Sequence, residues 1–137
     1  MSTSGYSGTP LARKLGIKEG YDVYFINLPE HYFMLFDILP EVNVIEDPSV
    51  ESLDFIHLFC TERAAFEKHA LRVKPFLKKN GMLWVSWPKG SSSIPTDLAR
   101  DPIRNYLLEN GLVDVKVCSV DEDWSGLKFM YRIKDRK

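Results

Sequence analysis

The feature that most constrains this chain is the run Asn80-Gly81-Met82-Leu83-Trp84-Val85-Ser86-Trp87-Pro88-Lys89-Gly90. Its apolar and aromatic residues follow one another without the alternation of a half-exposed strand, so it reads as a strand covered on both faces. Asn80-Gly81 reads as the end of a preceding helix, and Pro88-Lys89-Gly90 as the end of the strand. An equally apolar run, Leu53 to Cys60, comes before it with one helical segment between. Two such strands joined by a helix make a right-handed βαβ unit. The chain is therefore expected to be α/β, with a mostly parallel sheet and helices on both faces.

The remaining elements fall around this pair. Residues 1 to 8 form a Ser/Gly-rich leader whose one large side chain is Tyr6. Thr9-Pro10 predicts an N-cap followed by proline at the first helical position, with the short helix ending at Gly16. Asp22 to Ile26 is the first strand, and it leads into Asn27-Leu28-Pro29-Glu30. There Asn27 and Glu30 have the spacing of a capping box, opening a helix with Tyr32, Leu35, Phe36 and Leu39 on one buried stripe. Pro40 ends it, and Val42 to Ile45 is a short second strand.

After Cys60, Thr61 is placed to cap a helix with Ala65, Phe66, His69, Ala70 and Val73 on its inner face, and Pro75 to Lys79 to add one more turn. Asp101-Pro102 opens the last helix, stopped by Asn110-Gly111. Val113 to Val120 and Leu127 to Ile133, joined by a short acidic turn, predict an antiparallel hairpin at the C-terminal end. Residues 1–137 are expected to be a single domain.

At 137 residues such a domain buries roughly two-thirds of its unfolded surface, enough for a core without staples. Eighteen basic against nineteen acidic residues give a net charge of -1, so no global field recruits nucleic acid or an anionic membrane. No run approaches the ~20 apolar residues of a membrane span, and the N-terminus lacks the form of a signal peptide. Cys60 and Cys118 have no metal-ligand spacing and read as buried thiols in a reducing compartment, so the expected location is cytoplasmic.

A helix closing on Lys-Pro-Phe-Leu-Lys-Lys-Asn-Gly before Met-Leu-Trp-Val, in a sheet ending in a reversed hairpin strand, resembles the core of class I S-adenosylmethionine-dependent methyltransferases. That resemblance implies a Rossmann-like fold. The chain also resembles a family of uncharacterised bacterial proteins. The residues that carry this are Ser4 to Leu11, Leu83 to Lys89, Pro95-Thr96-Asp97-Leu98, Val113 to Cys118 and Trp124 to Lys128. It implies kinship and a fold; function must be argued from a site.

Methyltransferases of that class place a glycine-rich turn after the first strand, where glycine allows close approach of the backbone to the cofactor. Here the turn is Asn27-Leu28-Pro29-Glu30, with no glycine and one residue lacking an N–H. Glu46 or Asp47, after the second strand, stands where the resemblance would put an acid on the ribose; a solvated loop end is the plainer reading. No cofactor is therefore expected, and the chain is expected to be a binding or interaction protein with an unidentified small molecule or protein as partner. A divergent small-molecule transferase is the alternative, with Lys89 and Asp97 as acid-base or anchoring groups.

In an open parallel sheet, sites lie at the carboxyl ends of the strands. The residues expected on that rim are Asn27, Glu46, Glu62, Trp87, Lys89, Thr96, Asp97, Trp124 and Ser125, with Tyr6 as a lid over the tryptophans. Trp87 and Trp124 either make an amphipathic pocket or docking patch, or cap the core while Thr96 caps the turn after it.

Other candidates point to structure rather than chemistry. His57 and Cys60 are three residues apart on one strand, hence on opposite faces, and cannot form a dyad. His57 reads as a hydrogen-bonded core histidine and Cys60 as a packed thiol. His31 and His69 complete no metal triplet with His57. Asp121, Glu122 and Asp123 lack the alternating oxygens of a calcium loop. Lys68, Arg72, Lys78 and Lys79 read as the watered side of one helix.

Overall fold

A computed structural model describes residues 10–136. In chain order the elements are α1 (Leu11–Leu15), β1 (Asp22–Ile26), β2 (Asn43–Val44), β3 (Leu53–Phe59), α2 (Arg63–Val73), β4 (Leu77–Pro88), α3 (Arg100–Glu109), β5 (Leu112–Ser119) and β6 (Trp124–Tyr131). Three 3₁₀ turns, at Tyr32–Leu35, Lys74–Phe76 and Ile133–Asp135, complete them. The strands form one sheet in the order β2-β1-β3-β4-β6-β5. β1 to β4 run parallel, and β6 lies antiparallel between β4 and β5. This is the mostly parallel sheet with a C-terminal antiparallel pair that the apolar runs imply.

Two cores sit on the two faces of the sheet. On one, Ile56, Leu58, Leu83, Val85, Trp87, Leu127 and Phe129 pack under Phe66, Ala70 and Val73 of α2 and Ile103 and Leu107 of α3. On the other, Phe55, Phe59, Met82, Trp84 and Trp124 pack against Ala12 and Leu15 of α1 and against Tyr32 and Phe36. Because successive strand residues point to opposite faces, both cores draw on β3 and β4, which explains their unbroken apolarity. No helix is long and apolar enough to cross a membrane among the described residues.

The segment after β1 departs from expectation. It holds only a 3₁₀ turn at Tyr32–Leu35, with no side-chain cap, instead of a capped helix. Asn27 takes a left-handed conformation, φ 58°, and its Nδ2 donates to the Phe59 carbonyl at 3.4 Å, so it is no N-cap. Pro29 and Pro40 bracket a run of bulky residues, and Tyr32 is pulled fully inward to meet His57. A long-range bond thus overrides the local helical spacing.

Asn80-Gly81 does not end a helix either. α2 passes through the Lys74–Phe76 turn directly into β4, which begins at Leu77, so Lys78 and Lys79 belong to a strand. The register with β3 slips between the Leu53 and Phe55 pairs, and Gly81 lies there against the Leu53 carbonyl. A Cβ on Gly81 would stand 2.7 Å from that oxygen. Glycine is required for the close approach of two backbones.

Smaller differences occur at helix starts. Pro10 is the N-cap of α1, while Thr9 and the leader with Tyr6 lie outside the described residues. Thr61 does not cap α2, whose N-cap is Glu62. The first amide of α2 is instead met from across the chain: Arg63 N–H donates to Asp97 Oδ1 at 2.7 Å.

Candidate functional site

The sheet order fixes where a crevice forms. From β1 the chain crosses outward to β2, and from β3 it crosses the opposite way to β4, so the winding reverses between β1 and β3. Ligand crevices of open α/β sheets lie at such a reversal, beyond the carboxyl ends of the strands. A cleft of about 200 Å³ opens there, lined by Asn27, Phe59, Cys60, Thr61, Glu62, Ala65 and Trp124. Asn27 comes from the end of β1, Phe59 to Glu62 from the end of β3, Ala65 from α2 and Trp124 from the start of antiparallel β6.

Of the residues expected on the rim, the cleft unites Asn27, Glu62 and Trp124. The two tryptophans are separated by the sheet itself. Trp87 pairs with Ser125 and Pro88 with Trp124, so the one-residue offset sends Trp87 into the α2–α3 core and Trp124 into the opposite one. Both are buried, at 7% and 8% exposure, and each caps a core. They form no shared pocket.

Lys89 and Asp97 stand outside the cleft with other partners. Lys89 Nζ donates to Ser119 Oγ at 2.6 Å, and Asp97 caps α2. Thr96 Oγ1 donates to the Thr61 carbonyl at 2.6 Å and accepts the Leu98 N–H at 3.0 Å, which fixes the loop carrying Asp97. Glu46 and Asp47 are exposed and do not line the cleft. Phe59, Thr61 and Ala65 were not singled out as site residues; the sign that finds them is position, at the end of the strand flanking the reversal.

The aromatic wall of the cleft rests on a buried polar chain. Phe59 meets Trp124 edge-on at 5.0 Å and stacks on His57 at 4.3 Å. His57 Nδ1 is 2.9 Å from Tyr32 Oη, and its Nε2 is 2.8 Å from Ser86 Oγ. All three residues are fully buried. A neutral imidazole has one donor and one acceptor, and each hydroxyl can play either part, so the chain is satisfied in either tautomer. Burial lowers the His57 pKa to about 3, leaving the ring neutral at physiological pH. Burial also raises Tyr32 above the ordinary phenol range, with Cys118 adding to it.

Cys60 carries its side chain into the other core, away from His57. Burial pushes its thiol up to about 12, which makes it a poor nucleophile. His31, in the loop after β1, has Nε2 2.7 Å from Asp121 Oδ2. Asp121 Oδ1 in turn accepts the Asp123 and Trp124 N–H groups, both at 2.8 Å. The acidic turn is thereby organised by its own backbone and tied to the loop after β1. Among the described residues no group of three or more His, Cys, Asp or Glu side chains is placed to hold a metal ion.

No family model and no curated protein matches this chain. Solved structures do. A SAM dependent methyltransferase from Aquifex aeolicus superposes with a TM-score of 0.53 at 14% identity, over 89% of this chain and 88% of that one. A putative type 11 methyltransferase from Sulfolobus solfataricus gives 0.58 at 16% identity, over 89% of each chain. The DhpI–SAH complex gives 0.59 at 10% identity, over 90% and 83%. At these identities the likeness is one of fold: the core of this chain is methyltransferase-like.

Proposed function

We propose that this chain is a binding protein on a methyltransferase-like scaffold, which takes a small molecule or one side chain of a protein partner in the cleft at the β1–β3 reversal. The observation that carries this reading is the cleft's size. Its volume of about 200 Å³ is below the roughly 300–1,000 Å³ of pockets that enclose drug-sized ligands, and an adenosyl cofactor belongs to that size class.

The turn after β1 supports the same conclusion. Asn27 keeps the left-handed conformation that glycine adopts freely, but adds a side chain that reaches the Phe59 carbonyl on the far side of the crevice. S-adenosylmethionine therefore does not fit the residues present. The cleft offers an amide at Asn27, a carboxylate at Glu62 and an apolar wall of Phe59, Ala65 and Trp124. The Arg63 amide of α2 is already engaged by the Asp97 carboxylate, so a neutral or cationic group suits the cleft better than an anion.

A divergent small-molecule transferase is the second reading, favoured by the location of the cleft at the reversal of the sheet. Its acid-base groups would not be Lys89 and Asp97, which have the structural partners given above.

Two measurements test the proposal, and the second separates the readings. Native mass spectrometry of freshly purified protein is expected to show a retained small molecule or a stable protein partner. Calorimetric titration with S-adenosylmethionine is expected to show no binding. A dissociation constant near 10 μM or tighter, about 7 kcal/mol of net contacts, would overturn the first reading in favour of the second.

A further inference from the structure

We propose that Lys14, Lys116 and Lys128, gathered on the open face of the β5–β6 hairpin, form a binding site for a small oxyanion bearing phosphoryl or carboxylate groups. The register places Lys116 directly opposite Lys128. Both point to the α1 side of the sheet. Lys128 Nζ stands 5.9 Å from the centre of the Trp84 ring, and Lys116 Nζ donates to the Lys14 carbonyl of α1 at 3.0 Å.

Like charges facing each other across a strand pair are destabilising. The Trp84 ring and the Lys14 carbonyl each meet one ammonium, but neither carries a negative charge. Among the described residues the close pairs of basic and acidic side chains are His31–Asp121, Arg63–Glu67, Lys78–Asp54, Arg100–Asp101 and Arg104–Asp114, none involving these lysines. Residues 1–9, which lead into α1, contain no Asp or Glu.

A lysine on an edge strand has a plain structural use, since it deters pairing with another sheet. That accounts for Lys116 on β5. It does not account for Lys128, which lies on an inner strand and is half-buried. Burial, and then Lys116, hold its ammonium below the ordinary lysine range. An anion bridging the two ammonium groups removes both penalties at once.

Cys118 reports on the site. It lies on the same face two residues beyond Lys116, paired with Gly126, and it is partly exposed. Burial raises its pKa, while Lys14, Lys116, Lys89 and Lys128 all act to lower it. An anion held by these lysines cancels that help and covers the thiol, so alkylation slows.

The experiment follows iodoacetamide labelling of Cys118 by peptide mapping, with pyrophosphate, citrate or chloride at matched ionic strength. Saturable protection is expected from pyrophosphate, citrate or both, which tells a phosphoryl from a carboxylate ligand. At about ten times the dissociation constant the rate should fall about tenfold. Within Lys128→Gln, and separately within Lys116→Gln, each shown folded by circular dichroism, the anion should no longer change the rate. Equal protection by chloride, unchanged protection in both variants, or protection by single-stranded nucleic acid but by neither small anion, overturns the proposal. Because the site lies outside the cleft, its failure leaves the cleft reading untouched.

Discussion

Replacing His57 by asparagine should flatten the acid sensitivity of folding. In the folded chain burial holds the His57 pKa at about 3, against 6.5 for an exposed histidine. Between those values the unfolded chain binds a proton that the folded chain refuses. Stability therefore rises with pH across this window and is lost as pH falls below 6.5. From the linkage relation, the penalty is about 0.2 kcal/mol at pH 7 and about 2 kcal/mol at pH 5, a difference close to 2 kcal/mol. That is a large share of the roughly 5–15 kcal/mol that holds a domain of this size.

The assay is urea unfolding of both proteins at pH 7 and pH 5. His57→Asn will be less stable at pH 7, since it disturbs the bonds to Tyr32 and Ser86, so the informative quantity is the change between the two pH values. His31, His69 and all carboxylates are common to both proteins and cancel in the difference. The wild type should lose about 2 kcal/mol more than the variant, a shift of about 1 M in relative midpoint for a slope near 2 kcal/mol per M. Equal losses would mean that His57 is protonated in the folded state and that the Tyr32–His57–Ser86 chain is wrongly described.

Three further outcomes follow from single contacts. Tyr32→Phe leaves His57 Nδ1 without its partner in a fully buried site and should destabilise by about 1–3 kcal/mol in urea unfolding. Asp97→Ala removes the carboxylate from the first amide of α2 and should reduce stability by about 0.5–2 kcal/mol, with most of the loss recovered in Asp97→Asn; equal loss in both variants would deny the capping role. Gly81→Ala drives a methyl group to 2.7 Å from the Leu53 carbonyl and should lower the thermal midpoint by the equivalent of about 1–3 kcal/mol; an unchanged midpoint would show that the β3–β4 contact relaxes freely.

The strands were legible because burial on both faces writes itself into sequence as continuous apolarity. Asp22 to Ile26 has the bounds read from the residues alone, and the C-terminal hairpin differs by a few residues at its turn. Tyr32, Leu35, Phe36 and Leu39 misled because helical spacing is a local signal, while the Tyr32–His57 bond that sets this segment spans 25 residues. Element order alone could suggest which residues end near the rim, but not which face of the sheet each takes. Whether Trp87 and Trp124 share a side depends on the antiparallel register of β4 and β6, and shifting that register by one residue would bring them together. Asp97 as the cap of α2 was hidden for the same reason: 34 residues separate it from the amide it meets.

The missing helix and the small cleft are one fact rather than two. A longer helix after β1 would carry Tyr32 on a regular surface above the sheet, whereas the irregular path through a single 3₁₀ turn lets it sink until its hydroxyl meets His57 and its ring stands edge-on to Phe25, Phe36 and Phe59. Those contacts fix Phe59, which stacks on His57 from one side and supports Trp124 from the other. Asn27, at the start of the same path, reaches the Phe59 carbonyl and narrows the crevice from above. The clasp between His31 and Asp121 then joins this segment to the turn that delivers Trp124. The Asn27, Phe59 and Trp124 side of the cleft is thus set by residues 27–36 or by something they touch, while the Thr61 side is held by Thr96 and Asp97. Glycine at position 27 would remove the Asn27 bond to the Phe59 carbonyl but leave the contacts that hold Tyr32, Phe59 and Trp124, so Asn27→Gly alone is expected to leave the aromatic wall of the cleft in place.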